Sequence, residues 1–332
     1  MRKYVIGLGI VFCLLLLGLA CSDGQQQGTS RQDNKRFTER LTGSAESVNG
    51  ILYVMGGMSL SAVLPDVGAY DPSAKTWTLK TSISTPRSTA ASVVFENDIY
   101  VIGGRNENGV LSTVEKYSTT ENKWLPSASM PTARWSLMAC NAGDKLYAFG
   151  GLSGIGNNRR ALDIVEAYDP NSDSWQSVGK MPEVRQGAAI ATVNGLIYVI
   201  SGKIASYVEV TTSDQITEHV DSFDPKTKAW TRVQDIPTGR VGAKAVVADG
   251  VIFVVGGIAK SGEFPTQIDV FDPRSNQWTA GPRLSLGRSG QMCALLGDSI
   301  VVFGGMSVRY GSGRPSISGS MESVSISGYP QK

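Results

Sequence analysis

Internal repetition is the feature that most constrains this chain. An apolar pair followed by two small residues recurs at Val54-Met55-Gly56-Gly57, Val101-Ile102-Gly103-Gly104, Ala148-Phe149-Gly150-Gly151, Val199-Ile200-Ser201-Gly202, Val254-Val255-Gly256-Gly257 and Val302-Phe303-Gly304-Gly305. The six copies are spaced by 47, 47, 51, 55 and 48 residues. Periods of this length mark arrays whose units bury their apolar faces only against one another. Other landmarks keep the same beat. An arginine stands sixteen residues before each first glycine position, at Arg40, Arg87, Arg134, Arg185, Arg240 and Arg288. Five copies carry an aromatic and a tryptophan seven apart: Tyr70 and Trp77, Tyr117 and Trp124, Tyr168 and Trp175, Phe223 and Trp230, Phe271 and Trp278. Each of those tryptophans precedes the next arginine by ten residues.

Within a unit the pattern reads as four strands. The first follows the arginine and is built of small residues, as in Ser88-Thr89-Ala90-Ala91-Ser92, which suits the crowded centre of a ring. A tight turn follows at Asn49-Gly50, Gly143-Asp144, Asn194-Gly195, Asp249-Gly250 and Gly297-Asp298, with Asn97-Asp98 one residue along. Such pairs accept the positive φ of a hairpin turn. The second strand is apolar, the third carries the aromatic, an Asp-Pro pair turns the chain, and the fourth opens with the tryptophan. Together, the arginine start, the paired glycines, the Tyr-Asp element (Tyr70-Asp71, Tyr168-Asp169) and the tryptophan resemble the kelch repeat from about Ser30 onward. The resemblance implies an all-β fold, a six-bladed propeller with four antiparallel strands per blade. Ser201 and Ser118 depart from it, and the sixth copy has no tryptophan.

A ring must close, because a three-stranded blade exposes unpaired edge groups. The sixth copy ends after its third strand at Met321-Glu322-Ser323-Val324, whereas residues from about Gly28 to Phe37 stand in the phase of a fourth strand. An N-terminal strand is therefore expected to complete blade six, and no second copy of the chain is required.

The first twenty residues are an address. Arg2 and Lys3 precede an apolar run from Tyr4 to Ala20 that has the shape of a secretory leader. The segment Leu17-Gly18-Leu19-Ala20-Cys21 resembles a bacterial lipobox, which implies lipid attachment at Cys21. The expected organisation is a signal peptide over 1–20, a lipid-anchored flexible tether over 21–27 and the propeller over 28–332. The expected location is the cell envelope, on the outer membrane, the cell surface or the periplasmic side. Cys140 and Cys293 then remain in the folded domain on inner strands of opposite units, too far apart to bridge, and are expected to be buried free thiols.

The formal charge of +2 is carried by Arg2 and Lys3, because 29 basic and 29 acidic residues remain beyond Ala20. A neutral domain is a poor partner for nucleic acid. The chain has a single histidine, His219, expected to be a solvated loop residue beside Glu218. That leaves no material for a multi-histidine metal site or the copper chemistry of galactose oxidase, a kelch relative, and no cofactor is implied. Gly151 to Gly156 mimics part of a phosphate loop but lacks the following helix and Gly-Lys-Ser.

All variation in period lies between the glycine pair and the aromatic, at 14, 14, 18, 22 and 15 residues. These second-to-third-strand loops and the arginine-bearing blade starts share one face, and variable loops on a rigid scaffold are where binding concentrates. Candidate ligand-binding residues there are Arg40, Arg134, Trp135, Arg159, Arg160, Tyr207, Glu209, Arg309 and Tyr310. Arg105, Glu107, Lys260, Phe264 and Arg314 share the face. Trp135 is the one tryptophan out of phase, and an aromatic beside an arginine suits a sugar ring or an acidic side chain. For the six arginines, the acids Glu115, Glu166, Asp221, Asp269 and Glu322 offer a competing role as ion-pair partners within the blade. Blade one has Gly68 at that position, which would leave Arg40 the freest. The function these features favour is a non-catalytic protein- or glycan-binding module. The alternative is a sugar mutarotase similar to the periplasmic sialic acid mutarotases, with Glu209 and Arg159 or Arg160 in the acid and cation roles.

Overall fold

The computed structural model describes residues 37–204, 215–308 and 315–329. They form six antiparallel sheets arranged as the blades of a propeller. Blade one is typical, with strands Ser44–Val48, Ile51–Met55, Val67–Asp71 and Thr76–Lys80 hydrogen-bonded in that order. Blades two to five repeat the order, beginning at Ala91, Met138, Ala189 and Lys244. Blade six has three strands among the described residues, Met292–Leu296, Ser299–Phe303 and Met321–Ser325. The expected closing strand over 28–37 lies almost wholly outside the described residues; only Phe37 falls within them. First-to-second-strand hairpins turn on positive-φ pairs such as Asn49-Gly50, at 51° and 76°. In blade two the turn is Glu96-Asn97 rather than Asn97-Asp98. Register holds it at the common position, and Glu96 accepts a φ of 56° there.

The glycine pairs exist because two blades meet at them. The second residue of each pair donates its backbone N–H to the carbonyl of the next blade's arginine: Gly57 to Arg87 (2.9 Å), Gly104 to Arg134 (2.9 Å), Gly151 to Arg185 (2.8 Å), Gly202 to Arg240 (3.0 Å), Gly257 to Arg288 (2.8 Å) and Gly305 to Arg40 (2.9 Å). The last bond joins blade six to blade one. At Gly150, φ is 49° and an added Cβ would sit 2.4 Å from the Arg185 carbonyl oxygen, so only glycine fits without displacement. Ser201 is the one substitution at a first position. Its hydroxyl accepts from the Arg240 N–H at 2.7 Å and donates to the Thr217 carbonyl at 2.6 Å, which offsets its φ of 58°.

Two residues beyond each arginine the chain forms a collar. Thr89 N–H donates to Thr42 O, Ser136 to Thr89, Gly187 to Ser136, Gly242 to Gly187, Gly290 to Gly242 and Thr42 to Gly290, at 2.7 to 3.4 Å. All six collar residues have φ between 50° and 72°. The bonds run in one rotational sense and close on themselves, so the first strands are tied into a ring independently of the outer strands.

Between blades the packing is aromatic. Each aromatic faces its tryptophan directly across the third and fourth strands, with ring centroids 4.8 to 5.2 Å apart. The indoles reach back to the preceding blade, where Trp124, Trp175 and Trp278 donate to the carbonyls of Thr81, Ala128 and Gln234. At the junction of blades six and one, Phe37 takes part. Its buried ring stacks on Trp77 at 4.9 Å, lies 5.8 Å from Phe303, and occupies the space left by Gly68, whose added Cβ would meet it at 2.7 Å. Phe37→Ala should therefore cost about 3 to 5 kcal/mol, read as a fall in the urea midpoint at unchanged slope. A midpoint within error of the parent would show that this junction is held without the ring.

Candidate functional site

The six arginines are structural. Each is at most 2% exposed, and each pairs with a carboxylate of its own blade: Arg40 with Asp66, Arg87 with Glu115, Arg134 with Glu166, Arg185 with Asp221, Arg240 with Asp269 and Arg288 with Glu322. Burial works against the charge on every guanidinium, and the carboxylate opposes that loss. In five blades the guanidinium also donates to the carbonyl at the first glycine position, as from Arg87 to Gly103 at 3.0 Å. Arg40 and Arg134 are thus removed as ligand-binding residues, because neither presents surface to the channel. Nor is Arg40 the freest of the six. Asp66, two residues before Gly68, supplies its acid at 3.3 Å, and Phe37 lies under its guanidinium at 3.8 Å. Removing one partner leaves an uncompensated buried charge. Glu115→Ala should cost about 3 to 5 kcal/mol in denaturant unfolding, and Arg87→Met combined with Glu115→Leu distinctly less. Equal losses for the single and double variants would contradict this pairing.

The residue after each arginine and the residue after each glycine pair face one another across a short antiparallel bridge. These pairs are Leu41 and Met58, Ser88 and Arg105, Trp135 and Leu152, Gln186 and Lys203, Val241 and Ile258, Ser289 and Met306. All of them but Ser88 wall a cup of about 210 Å³ centred on the propeller axis, with the collar at its floor. Sequence therefore sets its chemistry at two positions per blade. Blades five, six and one contribute Val241, Ile258, Ser289, Met306, Leu41 and Met58, a half that is apolar but for one hydroxyl. Blades two to four contribute Arg105, Trp135, Leu152, Gln186 and Lys203, joined by Arg159 from the blade-three loop. No acidic side chain lines the cup among the described residues.

Trp135 is 8% exposed, its indole N–H donates to Gly154 O at 3.0 Å, and the Arg105 guanidinium lies 4.4 Å from its ring centroid. Lys203 is 6% exposed with no ion-pair partner among the described residues, and burial followed by the nearby Arg159 pulls its ammonium below the usual lysine range. A charge held at that cost suits an incoming anion. The Arg159 side chain is fixed by an Nε bond to Gly156 O at 2.7 Å.

Other sequence-stated candidates separate from this site. Arg160 is exposed and lies outside the cup lining, whereas the adjacent Arg159, which ends the Gly156–Asn158 turn, lines it. Tyr207, Glu209, Arg309, Tyr310, Arg314 and Cys21 lie outside the described residues. His219 is held by Glu183 rather than simply solvated beside Glu218: its Nδ1 donates to the Glu183 carboxylate at 2.9 Å, within a cluster containing Arg185 and Arg232. Cys140 and Cys293 are buried free thiols, each pushed up to about 12 by burial. The sequence reading missed Lys203, whose signal was its place directly after the fourth glycine pair.

Replacing Lys203 by methionine removes a mostly buried cation that has no ion-pair partner among the described residues. Lys203→Met should leave the fold as stable as the parent or about 1 kcal/mol more stable by denaturant unfolding, as when a binding residue is kept at a cost to stability. A loss of the size seen for a core truncation would show that Lys203 is structural.

A closed ring of arginine-started, glycine-paired four-stranded blades with a loop-walled axial cup defines a kelch-type β-propeller. The chain belongs to the Attractin/LZTR1 beta-propeller family, whose model matches residues 21–261, and a Kelch motif matches residues 239–285. It is 35% identical over 99 residues to the Kelch-like protein 35 of Mus musculus, a match covering 30% of this chain and 16% of that one. Beta-scruin of Limulus polyphemus is 30% identical over 105 residues, covering 32% of this chain and 11% of the relative. The Kelch-like ECH-associated protein 1A of Danio rerio is 30% identical over 102 residues, covering 31% and 16%. The chain thus spans well under a fifth of the length of these relatives.

Proposed function

We propose that this propeller is a non-catalytic protein-binding module that receives into its axial cup an acidic side chain flanked by an apolar one. The observation that carries this is the division of the cup into an apolar half and a half bearing Arg105, Arg159, Lys203 and Trp135, with no carboxylate among the described lining residues. Cations beside an aromatic face, the buried Lys203 among them, favour a carboxylate, and the facing apolar wall adds burial at roughly 25 cal/mol per Å². Leu60 and Ile155, 67% and 55% exposed, stand on second-to-third-strand loops of the same face. Exposed aliphatic side chains around a partly desolvated pocket fit a macromolecular partner. Kelch propellers generally serve as protein-interaction modules, and that agrees with this reading. The leader over 1–20 and Cys21 add that the module is exported and tethered to a membrane.

A randomised peptide display on the purified chain tests this directly. The selected peptides should carry Asp or Glu next to an apolar residue, and binding should fall roughly tenfold or more in both Lys203→Gln and Arg159→Ala. Affinity should also fall as salt rises. Peptides without an acidic position, or binding that survives both substitutions, would place the interface elsewhere. An anionic sugar shares the carboxylate chemistry, so accelerated mutarotation of single sugar anomers, followed by NMR, would replace the module reading with the mutarotase one.

A further inference from the structure

Below the collar the axial channel widens again into a second cavity of about 520 Å³, lined by the first strands of all six blades. Its walls are mostly small or apolar, and they hold one acid and one amine. Glu46 stands where the other blades have Val93, Cys140, Ala191, Val246 and Ala294, and Lys244 where they have Ser44, Ala91, Met138, Ala189 and Met292. These two charges therefore belong to no repeat requirement. Glu46 accepts a hydrogen bond from the Ser92 hydroxyl at 2.6 Å through Oε1, leaving Oε2 without a protein partner among the described residues. Lys244 makes no hydrogen bond or ion pair among the described residues. The two are close enough to feel one another's charge but do not touch.

We propose that this lower channel is a binding site for a small zwitterion, its carboxylate on Lys244 and its ammonium on Glu46. A single ion would satisfy one of the two groups and leave the other without a charged partner. A molecule with opposite charges at its two ends satisfies both. The cavity is within the range that holds small ligands, and Ser47, Asn141 and Thr192 supply further polar groups along the wall. Burial pushes Glu46 up to about 7, opposed by the Ser92 hydrogen bond and then by Lys244, and it draws Lys244 below its usual range, opposed first by Glu46. The collar separates this site from the cup, so the proposal stands apart from the peptide reading.

The test is titration of the intact chain with β-alanine, 4-aminobutyrate and 6-aminohexanoate, with butyrate and butylamine as single-charge controls. Calorimetry and methyl NMR of Ile190 and Val247 report binding. At least one amino acid should saturate with affinity roughly tenfold or more above both controls, and Glu46→Gln and Lys244→Met should each abolish that advantage. Failure of all three to saturate, or saturation no tighter than the controls, overturns the proposal. So does binding that persists in both variants. Should a variant fail to fold, the ranking of zwitterions against single charges on the parent chain still decides, because a merely structural Glu46–Lys244 pair would show no such preference.

Discussion

The ring rests on one residue used twice. Each repeat arginine turns its guanidinium into its own blade, onto a carboxylate and a main-chain carbonyl at or beside the first glycine position, while its own main-chain carbonyl accepts the N–H of the preceding blade's second glycine. The side chain holds the third strand to the break that the glycine pair makes in the second, and the backbone holds the blade to its neighbour. Neither half works alone. Without the carboxylate the buried cation is intolerable, and without the glycines the two backbones cannot approach. Strand packing, tryptophan placement and the cup all inherit their positions from this junction.

A consequence is that binding chemistry is separated from stability. Arg+1, with the exception of Ser88, and the residue after the glycine pair line the cup, while the arginine itself is sealed beneath. One position further, the positive-φ collar closes the floor. Blades can therefore change the cup at two positions each without disturbing the junction, which explains how Leu41, Trp135 and Gln186 occupy equivalent places. It also explains why an arginine ring that looks like an anion site in the sequence offers no surface to an anion.

Much of this was legible in the sequence, because fixed spacing is a direct image of equivalent geometry. The blade number, the strand order, the tryptophan contacts between blades and five of the six acids follow from it. The sixth acid did not, since Asp66 reaches Arg40 from a position two residues off the repeat, with Phe37 filling the gap at Gly68. The Glu96-Asn97 turn was missed because a glutamate at positive φ has no compositional signature. At the site, Trp135 was visible as a residue out of phase. Lys203 was not, because the pairing of Arg+1 with the residue after the glycines is a backbone bridge that side-chain pattern does not reveal. Arg159 and Arg160 are neighbours in the sequence, and only the folded loop puts one inside the cup and the other outside.

The central claim is that six equivalent backbone junctions, including Gly305 to Arg40, close the ring. Native-state amide hydrogen exchange measures it most directly. The N–H groups of Gly57, Gly104, Gly151, Gly202, Gly257 and Gly305 should exchange only by an opening close to global unfolding, with Gly305 as protected as the rest. Rapid exchange at Gly305 and Thr42 while the other junctions stay protected would show a ring left open between its last blade and its first, and would contradict the account.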